Sequence, residues 1–109
     1  MKKIMNKLVR DNIPDIIVKN GDIPYCRTLV DDEYIKALKD KLFEEYNEII
    51  NAKSKEEVLE ECADLLEVLF ALTKANGYSE EDLLSTRTLK REKRGGFDKK
   101  IYLVKTVSK

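Results

Sequence analysis

Apolar residues recur through the middle of the chain at three- and four-residue intervals, the period of a helix packed along one side. Ile35, Leu38, Leu42 and Ile49 form one stripe; Val58, Leu59, Leu65, Leu66, Leu69, Phe70 and Leu72 form a second, broader one. The pattern predicts a long helix from Asp31 or Asp32, as N-cap, to about residue 52, and another from residue 55 to residues 76–77. Ser54 with Glu57 three positions on has the form of a capping box, and Gly77 of a C-terminal stop. A short polar connection makes the two helices antiparallel neighbours. The arc on the second helix is too wide for one partner, so it predicts packing by the first helix and by a second subunit.

Weaker signals flank this pair. Pro14 suits the first turn of a short helix ended by Asn20-Gly21. Ser79 with Asp82 starts a peripheral helix, carrying Leu83, Leu84 and Leu89, that runs to about residue 93 and is stopped by Gly95-Gly96. The β-branched and aromatic content of residues 23–30, around Pro24, predicts a short edge strand or an extended segment. Residues from Ile101 onward have strand propensity and would pair with residues 25–29. The expected fold is mainly α, an antiparallel helical bundle with short terminal β segments, forming a single domain over residues 1–109.

The seam of the first long helix is broken by a charge. Between Leu42 and Ile49, the position that continues the apolar spacing is Glu45. Glu45 with Glu48, and Glu61 with Asp64 on the next helix, are each three residues apart, which sets side chains on one face about 5–6 Å apart at Cβ. Glu61 precedes Leu65 by four and Asp64 precedes Val68 by four, so both flank the apolar face. Four carboxylates turned toward one inter-helix space cannot all stay ionised without compensation, because desolvation and mutual repulsion raise their pKa values. A bound divalent cation removes that cost. Taken singly, each acidic pair has the form of a solvated helix face paired with lysines.

Composition narrows the chemistry. The 109 residues include 21 Lys plus Arg, 21 Asp plus Glu and no histidine. Zero net charge and the lack of a basic stripe argue against nucleic acid or an anionic membrane as partner. Without histidine there is no Ser-His-Asp or Cys-His chemistry and no His-ligated zinc, which leaves oxygen ligands suited to Mg²⁺ or Mn²⁺. Cys26 and Cys62 lack metal-ligand spacing and read as reduced thiols, Cys62 as a buried structural one. The basic start of the chain is followed by no apolar run, so neither a signal peptide nor a membrane span is expected, and the location is expected to be cytoplasmic.

Glu44-Glu45-x-x-Glu48, a spacer of twelve residues and Glu61-x-x-Asp64 resemble the acidic signature of the MazG-like, all-α nucleoside-triphosphate pyrophosphohydrolases, a superfamily that includes phosphoribosyl-ATP pyrophosphohydrolase. Residues 7–14, Lys-Leu-Val-Arg-Asp-Asn-Ile-Pro, and Arg94-Gly95-Gly96-Phe97 resemble its small single-domain, phosphoribosyl-ATP pyrophosphohydrolase-like subgroup. The resemblance implies that Glu45, Glu48, Glu61 and Asp64 ligate Mg²⁺ and carry catalysis, with Glu44 supporting them. It further implies hydrolysis between the α- and β-phosphates of a nucleotide, giving a monophosphate and pyrophosphate, in a homodimer or homotetramer. Such chemistry needs positioning and positive charge around the leaving group, and no covalent nucleophile.

Lys41, Arg10, Lys90, Arg91 and Arg94 are candidates to hold phosphate, Arg94 with the added feature of flexible backbone at Gly95-Gly96. Arg10 and Asp11 equally suit an internal salt bridge, and Phe43 and Tyr46 suit either core or a base pocket. The leading expectation is a Mg²⁺-dependent nucleotide pyrophosphohydrolase of nucleotide-pool house-cleaning. Alternatives are phosphoribosyl-ATP hydrolysis in histidine biosynthesis and a non-catalytic helical dimerisation module.

Overall fold

A computed structural model describes residues 2–109. Four helices follow one another: α1 (Ile13–Lys19), α2 (Asp31–Ile50), α3 (Lys55–Ala75) and α4 (Glu80–Arg94). The long pair α2 and α3 forms an antiparallel hairpin joined by residues 51–54, and α4 packs against α3 but not against α2.

Local chemistry accounts for most boundaries. At α3, Ser54 Oγ accepts from Glu57 N at 3.1 Å, while Glu57 Oε2 accepts from Lys53 N at 2.8 Å, one residue beyond the usual reciprocal partner. At α4 both halves of the capping box form between Ser79 and Asp82. Asn76 Nδ2 donates to Leu72 O at 2.8 Å, and Gly77 adopts φ +92°, where a Cβ would be strained.

Four expectations need correction. Neither Asp31 nor Asp32 caps α2: Val30 is the N-cap, and both aspartates lie inside the first turn, where their charge complements the helix dipole. The helix also ends at Ile50, with Asn51 Nδ2 bonded to Asn47 O at 2.8 Å. No strand forms among the described residues, so the terminal β segments, including the pairing of residues 25–29 with the tail from Ile101, are absent. Strand propensity expresses itself only across a ladder, and both segments lie exposed, with Pro24 withdrawing one donor from the first. Finally, Cys62 is exposed rather than buried.

The core is small. Leu38 at 2% exposure and Val68 at 8% are its buried apolar side chains among the described residues, and no large side chain is wholly enclosed. Phe43, Tyr46 and Ile50 on α2, and Leu59, Leu66 and Leu69 on α3, are exposed. The radius of gyration is 18.5 Å, against about 13 Å for a compact domain of this length. Among the described residues no helix is long and apolar enough to cross a membrane.

Candidate metal centre and its cationic rim

Glu45 lies seven residues after Leu38 on α2, two helical turns along the same face, so the packing that buries Leu38 against α3 also buries Glu45, at 7% exposure. On α3, Glu61 and Asp64 lie one turn apart, half-buried, beside Val68. The antiparallel register brings the three together: each offers a carboxylate oxygen, and these oxygens lie within 4.8 Å of one another.

Burial raises the Glu45 carboxyl above its ordinary value, the Asp64 charge adds to the rise, Lys41 opposes it, and the neighbouring Glu61 carboxylate raises it further. Lys41 Nζ sits 3.8 Å from Glu45 Oε1 and 3.2 Å from Glu44 Oε1. Asp64 Oδ1 accepts from Arg10 Nη2 at 2.5 Å, and Lys7 Nζ lies 3.5 Å from Glu44 Oε1. Three cations thus rim the carboxylate cluster.

Not every predicted residue belongs to it. Glu48, one turn beyond Glu45, is exposed and outside the convergent set. Lys90 and Arg94 lie on α4, which touches only α3, and neither forms an ion pair among the described residues. Arg91 turns back on its own helix end: its guanidinium is 3.5 Å from Asp98 and packs so closely over Gly96 that a Cβ there would stand 2.9 Å from Nη1. The close approach that Gly95-Gly96 allows is therefore made by Arg91. Phe43 and Tyr46 stack with centroids 6.2 Å apart, exposed. Lys7 is the rim cation that sequence reasoning missed; it lies in a segment without helical period, where no local rule links position 7 to Glu44.

The donor set fits a hard divalent cation. Bond lengths of about 2.0–2.1 Å in an octahedral shell place ligand oxygens about 3–4 Å apart. Oxygens already within 4.8 Å need only side-chain rotation to reach that spacing. The burial of Glu45 supplies the reason for a cation to be wanted there.

Comparison with known proteins gives the family. The family profile described as phosphoribosyl-ATP pyrophosphohydrolase matches residues 15–91, a span that contains Lys41, Glu45, Glu48, Glu61, Asp64 and Lys90 and leaves Lys7, Arg10 and Arg94 outside. Over 56 residues the chain is 48% identical to an uncharacterized protein of Mycolicibacterium smegmatis, covering 51% of this chain and 57% of that one. Over 81 residues it is 41% identical to the histidine biosynthesis trifunctional protein of Candida albicans, covering 72% of this chain and 9% of that one. The chain thus matches little more than half of the first relative's length and less than a tenth of the second's. No solved structure matches.

Proposed function

The chain belongs to the phosphoribosyl-ATP pyrophosphohydrolase family, and from that premise we propose that it hydrolyses a nucleotide between its α- and β-phosphates with Mg²⁺, releasing the monophosphate and pyrophosphate. The observation that carries this reading is the meeting of Glu45, Glu61 and Asp64 at one point of the α2–α3 seam, with one of the three buried.

Glu45, Glu61 and Asp64 would hold the cation, with Glu48, one turn further along α2, outside the convergent set unless it moves on binding. The ion, when bound, supplies charge neutralisation for the polyphosphate and acidity for the attacking water. Lys41 is fixed by two glutamates and screens the cluster from its own repulsion. Arg10 presents a guanidinium at the rim, suited to bidentate contact with phosphate oxygens. Glu45, whose burial disfavours its charge while the site is empty, would ligate as a carboxylate once the cation compensates it.

A self-assembled form, dimer or tetramer, is part of the proposal. The unfilled core and the exposed apolar residues of α2 and α3 call for a second copy to cover them. Lys90 and Arg94 take part only where assembly brings α4 of one copy to the carboxylates of another.

Two substrate classes follow. The acidic signature favours a nucleoside triphosphate in nucleotide-pool house-cleaning. The family match and the Candida albicans relative favour phosphoribosyl-ATP, the second reading. Pyrophosphate release from phosphoribosyl-ATP and from a panel of common and damaged nucleoside triphosphates, with Mg²⁺ and with chelator, separates them by kcat/KM. Turnover of none of these, together with no Mg²⁺ binding, would leave the helical dimerisation module as the remaining account.

A further inference from the structure

Ahead of α1 the chain runs without regular secondary structure across the mouth of the α2–α3 seam. Asn6 turns the backbone through φ +44°, a left-handed conformation that asparagine tolerates. Lys7 then pairs with Glu44 of α2, and Arg10 with Asp64 of α3, so four residues bridge both helices. Beneath them, Asn6, Lys7 and Leu8 close a cavity of about 80 Å³ against Ala37, Asp40, Lys41 and Glu44. On the α1 side, Ile13 N donates to Arg10 O at 3.0 Å, which keeps the arginine backbone beside the site.

The Arg10 guanidinium thus sits on one of the three carboxylates that converge. Both side chains stay open to water, at 56% and 40% exposure, so their pair is exchangeable. A divalent ion brings twice the charge of a guanidinium and engages all three carboxylates together, so on Asp64 it displaces a single tethered cation.

We propose that Arg10 is an intramolecular competitor for the cation site: it occupies Asp64 until a divalent cation takes that carboxylate, and the segment it anchors, residues 7–10, then lifts from the seam. The inference rests on the reading of Glu45, Glu61 and Asp64 as the cation site. It concerns a segment outside the residues shared with the family profile. Release leaves a guanidinium free at the rim, where a polyphosphate arrives.

Calorimetric titration of the full chain with MgCl₂ tests this on wild type, Arg10→Gln, Lys7→Gln and Glu45→Gln. Arg10→Gln is expected to tighten Mg²⁺ binding about three- to five-fold, the range of a solvent-open ion pair. Lys7→Gln makes the same change of charge beside Glu44 and should shift binding less than about two-fold. Hydrogen exchange of the Ile13 amide, which donates to Arg10 O, should quicken with Mg²⁺ in wild type and be fast from the outset in Arg10→Gln. Equal effects of the two substitutions, or weaker binding in Arg10→Gln, overturn the competitor role while leaving the site intact if Glu45→Gln still abolishes binding. No binding to wild type overturns both.

Discussion

Glu45 and Leu38 share one face of α2, two turns apart, and both are buried, at 7% and 2% exposure. A carboxylate therefore stands in line with the best-packed apolar residue of a small core. A chain that spends so scarce an interior on a charge has a use for it, and the consequences can be measured.

The first concerns pH. Burial and the Asp64 charge hold the Glu45 carboxyl above its ordinary value of 4.5, so the folded chain binds this proton more tightly than the unfolded one. Stability from this group is therefore full below the ordinary value and is lost as pH rises through the folded value. Without divalent ions, Glu45→Gln should melt higher than wild type near pH 7, and the gap should close as pH falls toward 4.5. Added Mg²⁺ should raise the melting temperature of wild type alone. Calorimetric scans of both proteins across that pH range, with chelator and with Mg²⁺, check the sign; a variant less stable at every pH refutes it.

The carboxylates should rank by convergence. Glu61→Gln and Asp64→Asn are expected to lower pyrophosphate release by about two orders of magnitude or more, with the circular dichroism spectrum unchanged. Glu48→Gln, outside the cluster, should lose on the order of ten-fold. Equal losses for all three would mean that Glu48 turns fully into the site on binding.

Leu38→Ala should cost about 2–5 kcal/mol, which for so small a core is most of the folding free energy. Leu89→Ala, at an exposed position on α4, should stay within about 0.5 kcal/mol. Urea unfolding of the two variants under one buffer makes the comparison.

Exposed Leu66 and Phe43 should matter through assembly. Light scattering coupled to size exclusion is expected to show wild type as a dimer or tetramer, and Leu66→Lys as a smaller species with a lowered melting temperature. A wild-type chain that is monomeric at all concentrations would show that these residues are simply surface.

How much was legible beforehand depended on the range of the interaction. The starts of α3 and α4 and the stops at Gly77 and Gly95 were readable because a cap is made by residues three or four apart. The Asp cap of α2 was misjudged because aspartate serves equally well inside the first turn. The strands were misjudged because propensity supplies no partner, and Cys62 because the usual burial of a free thiol is a preference of residue type that its position among acidic neighbours on α3 overrides.

The order of residues alone determined four helices and the caps that start α3 and α4, the spacing that puts Glu61 and Asp64 on one face, and Glu45 in place of an apolar residue on the seam, since these follow from helical period and local hydrogen bonding. Tertiary structure alone decided that Glu45 meets Glu61 and Asp64 while Glu48 does not, that Arg10 crosses 54 positions to Asp64, and that the basic end of α4 stays away. The meeting of Glu45 with Glu61 and Asp64 depends on how far α2 slides along α3, and the other two on how the flanking segments lie against α3, none of which a local rule sets.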